Sequence, residues 1–458
     1  MKKIFILLIL LLLVVTSCNK IDESDEIRDF ETQTENKSEF LGSDGDVHRI
    51  NIQTYNNEFP EHQELFTPGT LNITEQDTSI VLLEDKEMEM RIRGNSTREP
   101  AKKAWKIKFF KKQSLFGLPK AKDWVLLANY FDKTNIRNYL AYRLANKMSN
   151  LGFQPSSIFV DLYLNGEYQG LYMLTEQMEA NEGRVDIEKY KNTIGINSFL
   201  IEADWRAISE YPDHAGKCYF RLEGYALKFK YPNCNKYLEA LTLGDTAFIG
   251  QYEKDIQWAI NYMNAATNAM KTNDYSKFSR YLDIGSFIDY YIVEEFFKNL
   301  DVGQTSQFYV IKQDDPPKLA CGPVWDFDLS AGVVATDSYQ LYDKTELWAK
   351  FYDSFYQLLF KNETFVQMVK ERYTEIRPLL LEVFTDFDQI KSELVHAQQR
   401  NIERWPLPKP GDKTNWIENY AISDEYYALS SLTAHYNHLA TYLQKRLSLM
   451  DKYYLITN

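Results

Sequence analysis

The sequence predicts an α+β protein with a β-rich N-terminal part and a mainly helical C-terminal part. Three observations carry that expectation: apolar and polar residues alternate from Val47 onward, Asn165-Gly166 separates two apolar runs, and helical periodicity dominates after Gln251. The chain has 458 residues, 44% hydrophobic and 26% charged, which is the composition of a folded protein with one or two large domains. A net charge of −13 excludes a protein that holds nucleic-acid backbones, since that needs a net positive surface, and no nucleic-acid partner is expected. Aromatics make up 15% of the residues, enough to fill a large core or to line a carbohydrate or peptide surface.

The elements follow in order. Lys2 and Lys3 precede an unbroken apolar run from Ile4 to Val15, too short for a membrane span and of the right form for an export signal. The run ends in Val15-Thr16-Ser17-Cys18, which resembles a bacterial lipobox, so residues 1–17 are expected to be a lipoprotein signal peptide and Cys18 the lipidated N-terminus that anchors the protein to a membrane. A plain secretory signal with an incidental cysteine is the alternative. Residues 18–45 are acidic and poor in apolar side chains, the composition of a flexible tether that cannot bury enough surface to fold alone.

Residues 46–187 form the β-rich part. Within Ala104 to Phe110, Trp105, Ile107 and Phe109 share one face while Lys106 and Lys108 project from the other. Asp132 to Met148 reads as a helix with Asp132 as N-cap and Ile136, Leu140, Leu144 and Met148 in i, i+4 register. The segment SIFVDLYLNGEYQGLYMLTEQM reads as a hairpin around Asn165-Gly166. Residues 188–338 open with short strands and loops that give no clear unit up to Gly250, then turn helical. Residues 339–458 form a helical extension, broken at Trp405-Pro-Leu-Pro-Lys-Pro410, where three prolines impose extended chain. Cys218 and Cys234 can pair outside the cytoplasm, leaving Cys321 over, and the absence of a CxxC pair argues against structural zinc.

Phosphate-loop, HExxH and GxSxG patterns are all absent, which removes the easily read enzyme classes. His435 and His438 stand at i, i+3, a spacing that suits a metal pair but is expected here on a surface helix. The informative stretch is KNLDVGQTSQFYVIKQDDPPKLACGPVWDFDLSAG, Lys298 to Gly332. It reads as an acid after an apolar helix, two strands, and then Asp326 and Asp328 past a buried strand end. Paired carboxylates there offer oxygen ligands to a hard divalent cation, with Asp301 as a nearby base. The order parallels a kinase catalytic loop followed by its metal-binding Asp-Phe-Gly, with Ser306 where kinases place a metal-binding Asn. Strand and turn capping alone is the competing account of these acids.

Five motifs in order, RIRGNST (91–97), KKAWKIKF (102–109), LLANYFDKTNIRNYLAYRLA (126–145), VDLYLNGEYQGLYMLTEQ (160–177) and KNLD with SQFYVIK and GPVWDFDLSAG, resemble the spore coat protein H (CotH) kinase-like family from about Val47 to Trp405. The resemblance implies an atypical protein-kinase-like fold and an exported protein kinase that transfers the γ-phosphoryl of ATP to protein hydroxyls with Mg²⁺ or Mn²⁺. It implies Asp301 as the catalytic acid that takes the hydroxyl proton, Asp326 as metal ligand with Asp328 in support, and Ser306 as a second metal ligand weaker than Asn. Arg93, Gly94, Asn95 and Ser96 are implied as the turn over the phosphates, and Glu176 as part of a hinge-like connection. Lys108 is implied as the phosphate-charge partner, with Lys103 and Lys106 as rivals. Arg98 departs from the family's usual turn ending in tryptophan, and Ser330-Ala331-Gly332 from its usual aromatic-glycine ending. Two other functions stand beside it: a non-catalytic cell-surface adhesion or assembly lipoprotein, to which the lipid anchor, acidic tether and aromatic richness point, and a metal-dependent hydrolase that uses the same acids on an extracellular phosphate or glycan. The sequence leaves the acceptor protein and the oligomeric state open.

Overall fold

The computed structural model describes residues 41–187, 198–312, 316–334, 346–409 and 411–456. The expected signal peptide, Cys18 and all but the end of the expected tether lie outside the described residues. The α+β class is observed: strands occupy the N-terminal part and helices dominate the C-terminal part.

Seven N-terminal strands close on one another. They are β1 (His48–Thr54), β2 (Thr67–Thr74), β3 (Val81–Arg93), β4 (Ala104–Gln113), β5 (Ala121–Leu127), β6 (Ser157–Leu164) and β7 (Glu167–Glu176). Their order is β1-β2-β3-β4-β5-β7-β6, a closed barrel that the alternation pattern did not foretell. Closure comes from β6 lying parallel to β1, with Ile50 opposite Leu162, so no strand keeps an unpaired edge. The alternation then sorts the side chains: Trp105, Ile107 and Phe109 of β4 are buried with Met88, Trp124 and Leu174 inside the barrel, while Lys106 and Lys108 point outward onto Asp123 and Glu89. The hairpin between β6 and β7 turns on Asn165 (φ 52°) and Gly166 (φ 80°), both left-handed as a two-residue turn of this hand requires.

A second sheet was not legible as a unit. It contains β8 (Phe199–Ala203), β9 (Tyr219–Leu222), β10 (Tyr225–Tyr231), β11 (Gln307–Lys312) and β12 (Lys318–Cys321), in the order β12-β11-β8-β10-β9. Its central strand β8 is completed only by β11, more than a hundred residues later, so residues 199–231 carry no complete pattern of their own. Cys218 and Cys234 are bridged, and Cys321 is a buried free thiol.

The helix expected from Asp132 starts instead at Arg137 and runs to Lys147. Asp132 caps a turn: its carboxylate accepts from the backbone N–H of Thr134 and Arg137 and pairs with the Arg137 guanidinium. Asn135, at φ 61°, cannot continue a helix. Longer helices follow at Thr246–Lys271, Ile284–Phe297, Glu363–Glu393, Val395–Arg404 and Leu432–Tyr454. Among the described residues no helix is long and apolar enough to cross a membrane. The histidine pair is not on a free surface: His435 is fully buried and packs edge-on against Tyr426 at 4.7 Å. Glu295 and Arg446, both fully buried, join the helix Ile284–Phe297 to the last helix, and Glu295 also accepts from the N–H groups of Trp348 and Ala349.

The helix Val395–Arg404 seats on the barrel at β7. Gly170 permits the approach, because at φ 113° a Cβ would stand 2.8 Å from Asn401 Oδ1 and Trp405 Nε1. Asn401 Oδ1 accepts from Leu171 N at 3.1 Å and from the buried Lys102 ammonium at 3.1 Å, and Lys102 also donates to Leu171 O at 2.6 Å. Burial, with Lys133 nearby, pushes the Lys102 amine down to about 7. The unfolded chain therefore holds a proton that the folded chain releases between about pH 7 and pH 10.5, so this group makes stability rise with pH in that window. Urea unfolding of wild type and Lys102→Met at pH 7, 8 and 9 is expected to show the wild type gaining on the variant by about 1 kcal/mol per pH unit. A difference independent of pH would mean that the folded state keeps the ammonium charged.

Candidate active site

The acids singled out in the sequence come from two loops that flank the second sheet. The helix Ile284–Phe297 ends on Lys298 in the left-handed region, and the chain then turns through Asp301, whose carbonyl accepts from the N–H groups of Gln304 and Thr305. Ser306, at φ 56°, enters β11. On the facing loop Asp326 sits at φ 69°, a left-handed conformation that a non-glycine residue holds only when its surroundings impose it. The loops meet where Ser306 Oγ donates to Asp326 Oδ2 at 3.1 Å.

The surroundings that impose the Asp326 conformation come from the helix Arg137–Lys147. Asn138 Oδ1 accepts from Phe327 N at 2.6 Å, and Tyr142 OH, one turn further on, accepts from Asp326 N at 3.5 Å. Arg137 donates through Nε to Ser330 O and through Nη2 to Ala331 O, both at 3.1 Å. Trp325 stacks on Tyr142 at 5.6 Å, and the Arg93 guanidinium lies over the same indole at 5.4 Å. A residue from the barrel is thereby brought to the acidic loop.

Burial and neighbouring acids raise the proton affinity of Asp301 and Asp328. Burial pushes the Asp301 carboxyl well above the usual carboxylate range, the charge of Asp326 adds to this, and Arg206 opposes it. Asp328, which is buried, is likewise pushed up by burial and then by Asp326 and Asp301. Such a cluster gathers more acids than the arginines beside it offset, and its donors are hard oxygens. Among the described residues no three His, Cys, Asp or Glu side chains converge closely enough to hold a metal alone. Mg²⁺ characteristically takes one or two carboxylates and completes its shell with water and substrate phosphate, so this donor set fits that cation as a shared site.

The other expected residues divide. Gly94 lies at φ 91° in the turn between β3 and β4, where a Cβ would stand 1.8 Å from Thr97 Oγ1, so only glycine makes this turn. Its carbonyl accepts from Gln63, Asn95 is exposed, and Ser96 opens a one-turn helix through Arg98. The Arg93 guanidinium, just before the turn, makes no hydrogen bond among the described residues, and burial, opposed by Asp326, lowers its proton affinity. The three lysines are not gathered with the acids. Lys108 pairs with Glu89 at 2.7 Å, Lys106 with Asp123 at 2.8 Å, and Lys103 closes the Ser96–Arg98 turn by donating to Arg98 O and Glu99 O. Glu176 is buried at the end of β7, accepts from Ser156 N at 3.0 Å, and lies 3.7 Å from Arg184 Nε. Burial pushes its carboxyl up.

Sequence reasoning missed Arg206 and Asp204. Arg206 Nε donates to Asp204 Oδ1 at 2.6 Å and Nη2 to Thr305 Oγ1 at 2.8 Å, inside the Asp301 loop. The signal was present: Phe199-Leu-Ile-Glu-Ala203-Asp-Trp-Arg206 is an apolar strand ending in charged residues, the same form that pointed to Asp326.

A family model described as CotH kinase protein matches residues 90–450. No curated protein matches the chain. The matched span includes both acidic loops and the helix that holds them. Since Arg137 and Asp132 are buried to 0% and 1% exposure, Arg137→Met is expected to cost about 3–5 kcal/mol in urea unfolding by leaving an uncompensated charge. The double variant Asp132→Ala/Arg137→Met should lose much less than the sum of the two single variants. Additive losses would show that the two residues act independently.

Proposed function

The chain belongs to the CotH kinase protein family, and from that premise we propose that it is an exported, lipid-anchored protein kinase that moves the γ-phosphoryl of ATP to protein hydroxyls with Mg²⁺ or Mn²⁺. The observation that carries this reading is the meeting of Asp301, Asp326 and Asp328 with Ser306 and the Arg93 guanidinium at the junction of the barrel and the helical part. That junction is where a kinase-like fold places nucleotide between its two parts.

The residues take distinct roles. Asp301 accepts the proton of the acceptor hydroxyl and orients its oxygen. Asp326 is the ligand for the divalent cation, with Asp328 behind it and Ser306 holding the carboxylate through its hydroxyl. When bound, the cation and the nucleotide supply charge neutralisation across the phosphates and the phosphoryl group itself. Arg93 presents free N–H donors beside Asp326, which suits a phosphate oxygen better than Lys108, already paired with Glu89. The Gly94 turn offers backbone N–H groups on the barrel side. Asp301 and Asp328, both pushed up by burial and by the charge of Asp326, become better carboxylates once positive charge arrives, so cation and base function are linked.

Export and anchoring through Cys18 rest on Lys2, Lys3, the apolar run and Val15-Thr16-Ser17-Cys18. A second reading, a non-catalytic surface module on the same scaffold, is favoured by one observation: Ser306 offers a neutral hydroxyl where a carboxamide ligand is usual, which weakens a second metal position.

Thermal unfolding of wild type and Asp326→Ala, with and without ATP plus Mg²⁺ or Mn²⁺, separates the two. A ligand present at 100 times its dissociation constant stabilises the native state by about 2.7 kcal/mol. The wild type is expected to shift by about that much and the variant not at all. Absence of a shift in both would transfer the assignment to the non-catalytic module.

A further inference from the structure

Arg206 is held in a way that ordinary surface arginines are not. Asp204, at 4% exposure, fixes Nε at 2.6 Å, and Thr305 of the Asp301 loop fixes Nη2 at 2.8 Å. Nη1 makes no hydrogen bond among the described residues. The guanidinium plane is thus set from two sides and keeps one donor corner open, in a side chain that is only partly buried. Its charge is felt by Asp301, and those of Glu202 and Asp326 are felt by it. A planar cation already held in place loses little freedom when it meets an oxyanion.

We propose that Arg206 engages the phosphoryl group during transfer, with Asp204 and Thr305 as its positioning residues; this rests on the kinase reading above. In the step, the acceptor oxygen forms its bond to the γ-phosphorus and its proton passes to the Asp301 carboxylate. The bond from that phosphorus to the β,γ-bridging oxygen breaks, and ADP leaves with the electron pair. Negative charge spreads over the three peripheral oxygens of the moving group, and a fixed guanidinium stabilises it there without reorganising. Thr305 couples the arginine to the loop that carries the base, so both reach the reacting centre from one rigid unit.

The test compares wild type, Arg206→Ala and Arg206→Lys as full chains. Affinities for ADP and for the non-hydrolysable analogue AMP-PNP are measured by calorimetry with Mg²⁺, and kcat and KM for ATP are measured on the same samples. Loss of the γ-phosphoryl contact is expected to weaken AMP-PNP about tenfold and to leave ADP affinity unchanged. It should also lower kcat by about 10²–10³-fold and raise KM for ATP by about the same tenfold as AMP-PNP. Free guanidinium should restore part of the activity of Arg206→Ala, and Arg206→Lys, which keeps the charge but loses the fork, should fall between. Equal weakening of ADP and AMP-PNP would reduce Arg206 to packing, and unchanged AMP-PNP affinity would remove it from the site; either overturns this inference alone. A wild type that binds neither nucleotide overturns the kinase reading together with it. If Arg206→Ala does not fold, the ADP and AMP-PNP comparison in Arg206→Lys decides.

Discussion

The acidic loop depends on one buried ion pair. Asp132 and Arg137 are withdrawn from water, and neither would be tolerated there without the other. With its charge matched by Asp132, the guanidinium uses its remaining donors on Ser330 O and Ala331 O, and the next residue of the helix, Asn138, takes Phe327 N. Two adjacent side chains therefore hold both ends of the Asp326–Ala331 segment. The pair reaches further still: Tyr426 lies 5.5 Å from the Arg137 guanidinium and its hydroxyl accepts from Lys133 N. A network of this kind is costly when incomplete and rigid when complete, which suits a loop that must keep carboxylates in place against their mutual repulsion.

Rigidity is also visible in the backbone. Asp326 and Ser306 both adopt left-handed conformations without being glycine, and they are the two residues that touch across the site. Strain placed there is sustained by Tyr142, Asn138 and Arg137 on one side and by the β11 ladder on the other. The electrostatic pattern follows from that geometry. Carboxylates held close and withdrawn from water favour protonation, while Arg206, from the end of β8, opposes this at Asp301 and Arg93, from the barrel, lies beside Asp326. The site is thus poised to accept positive charge.

Much of this arrangement was legible in the sequence where the signal was local. The strand faces of β4 followed from alternation, the β6–β7 hairpin from Asn165-Gly166, and the acids from an apolar strand that ends in charge. What escaped depends on partners distant along the chain. Closure of the barrel needs β1 beside β6, and the second sheet needs β8 beside β11, pairings that no window of residues contains. Asp132 looked like a helix cap because its hydrogen-bonding capacity is real; its partner at Arg137 draws that capacity into a turn and delays the helix. Lys108 looked available because Glu89, on the neighbouring strand, cannot be placed opposite it without the register. His435 looked exposed because the face that buries it belongs to residues outside its own helix.

The seat of Asn401 and Trp405 on β7 bears on how the protein comes into being. Lys102 and Leu171 find their acceptor in Asn401, Gly170 is covered by Trp405, and Arg137 finds its carbonyls near residue 330. A chain made from its N-terminus outward therefore completes the barrel strands long before the groups that finish them exist. Until about residue 405 has emerged, Lys102 has only part of its bonding, and until residue 331 has emerged Arg137 lacks the two carbonyls it holds. Native contacts so distant in sequence make for late, cooperative folding. The N-terminal part matures with the C-terminal part rather than ahead of it, and a chain truncated before residue 400 would expose the same surfaces as an unfinished one.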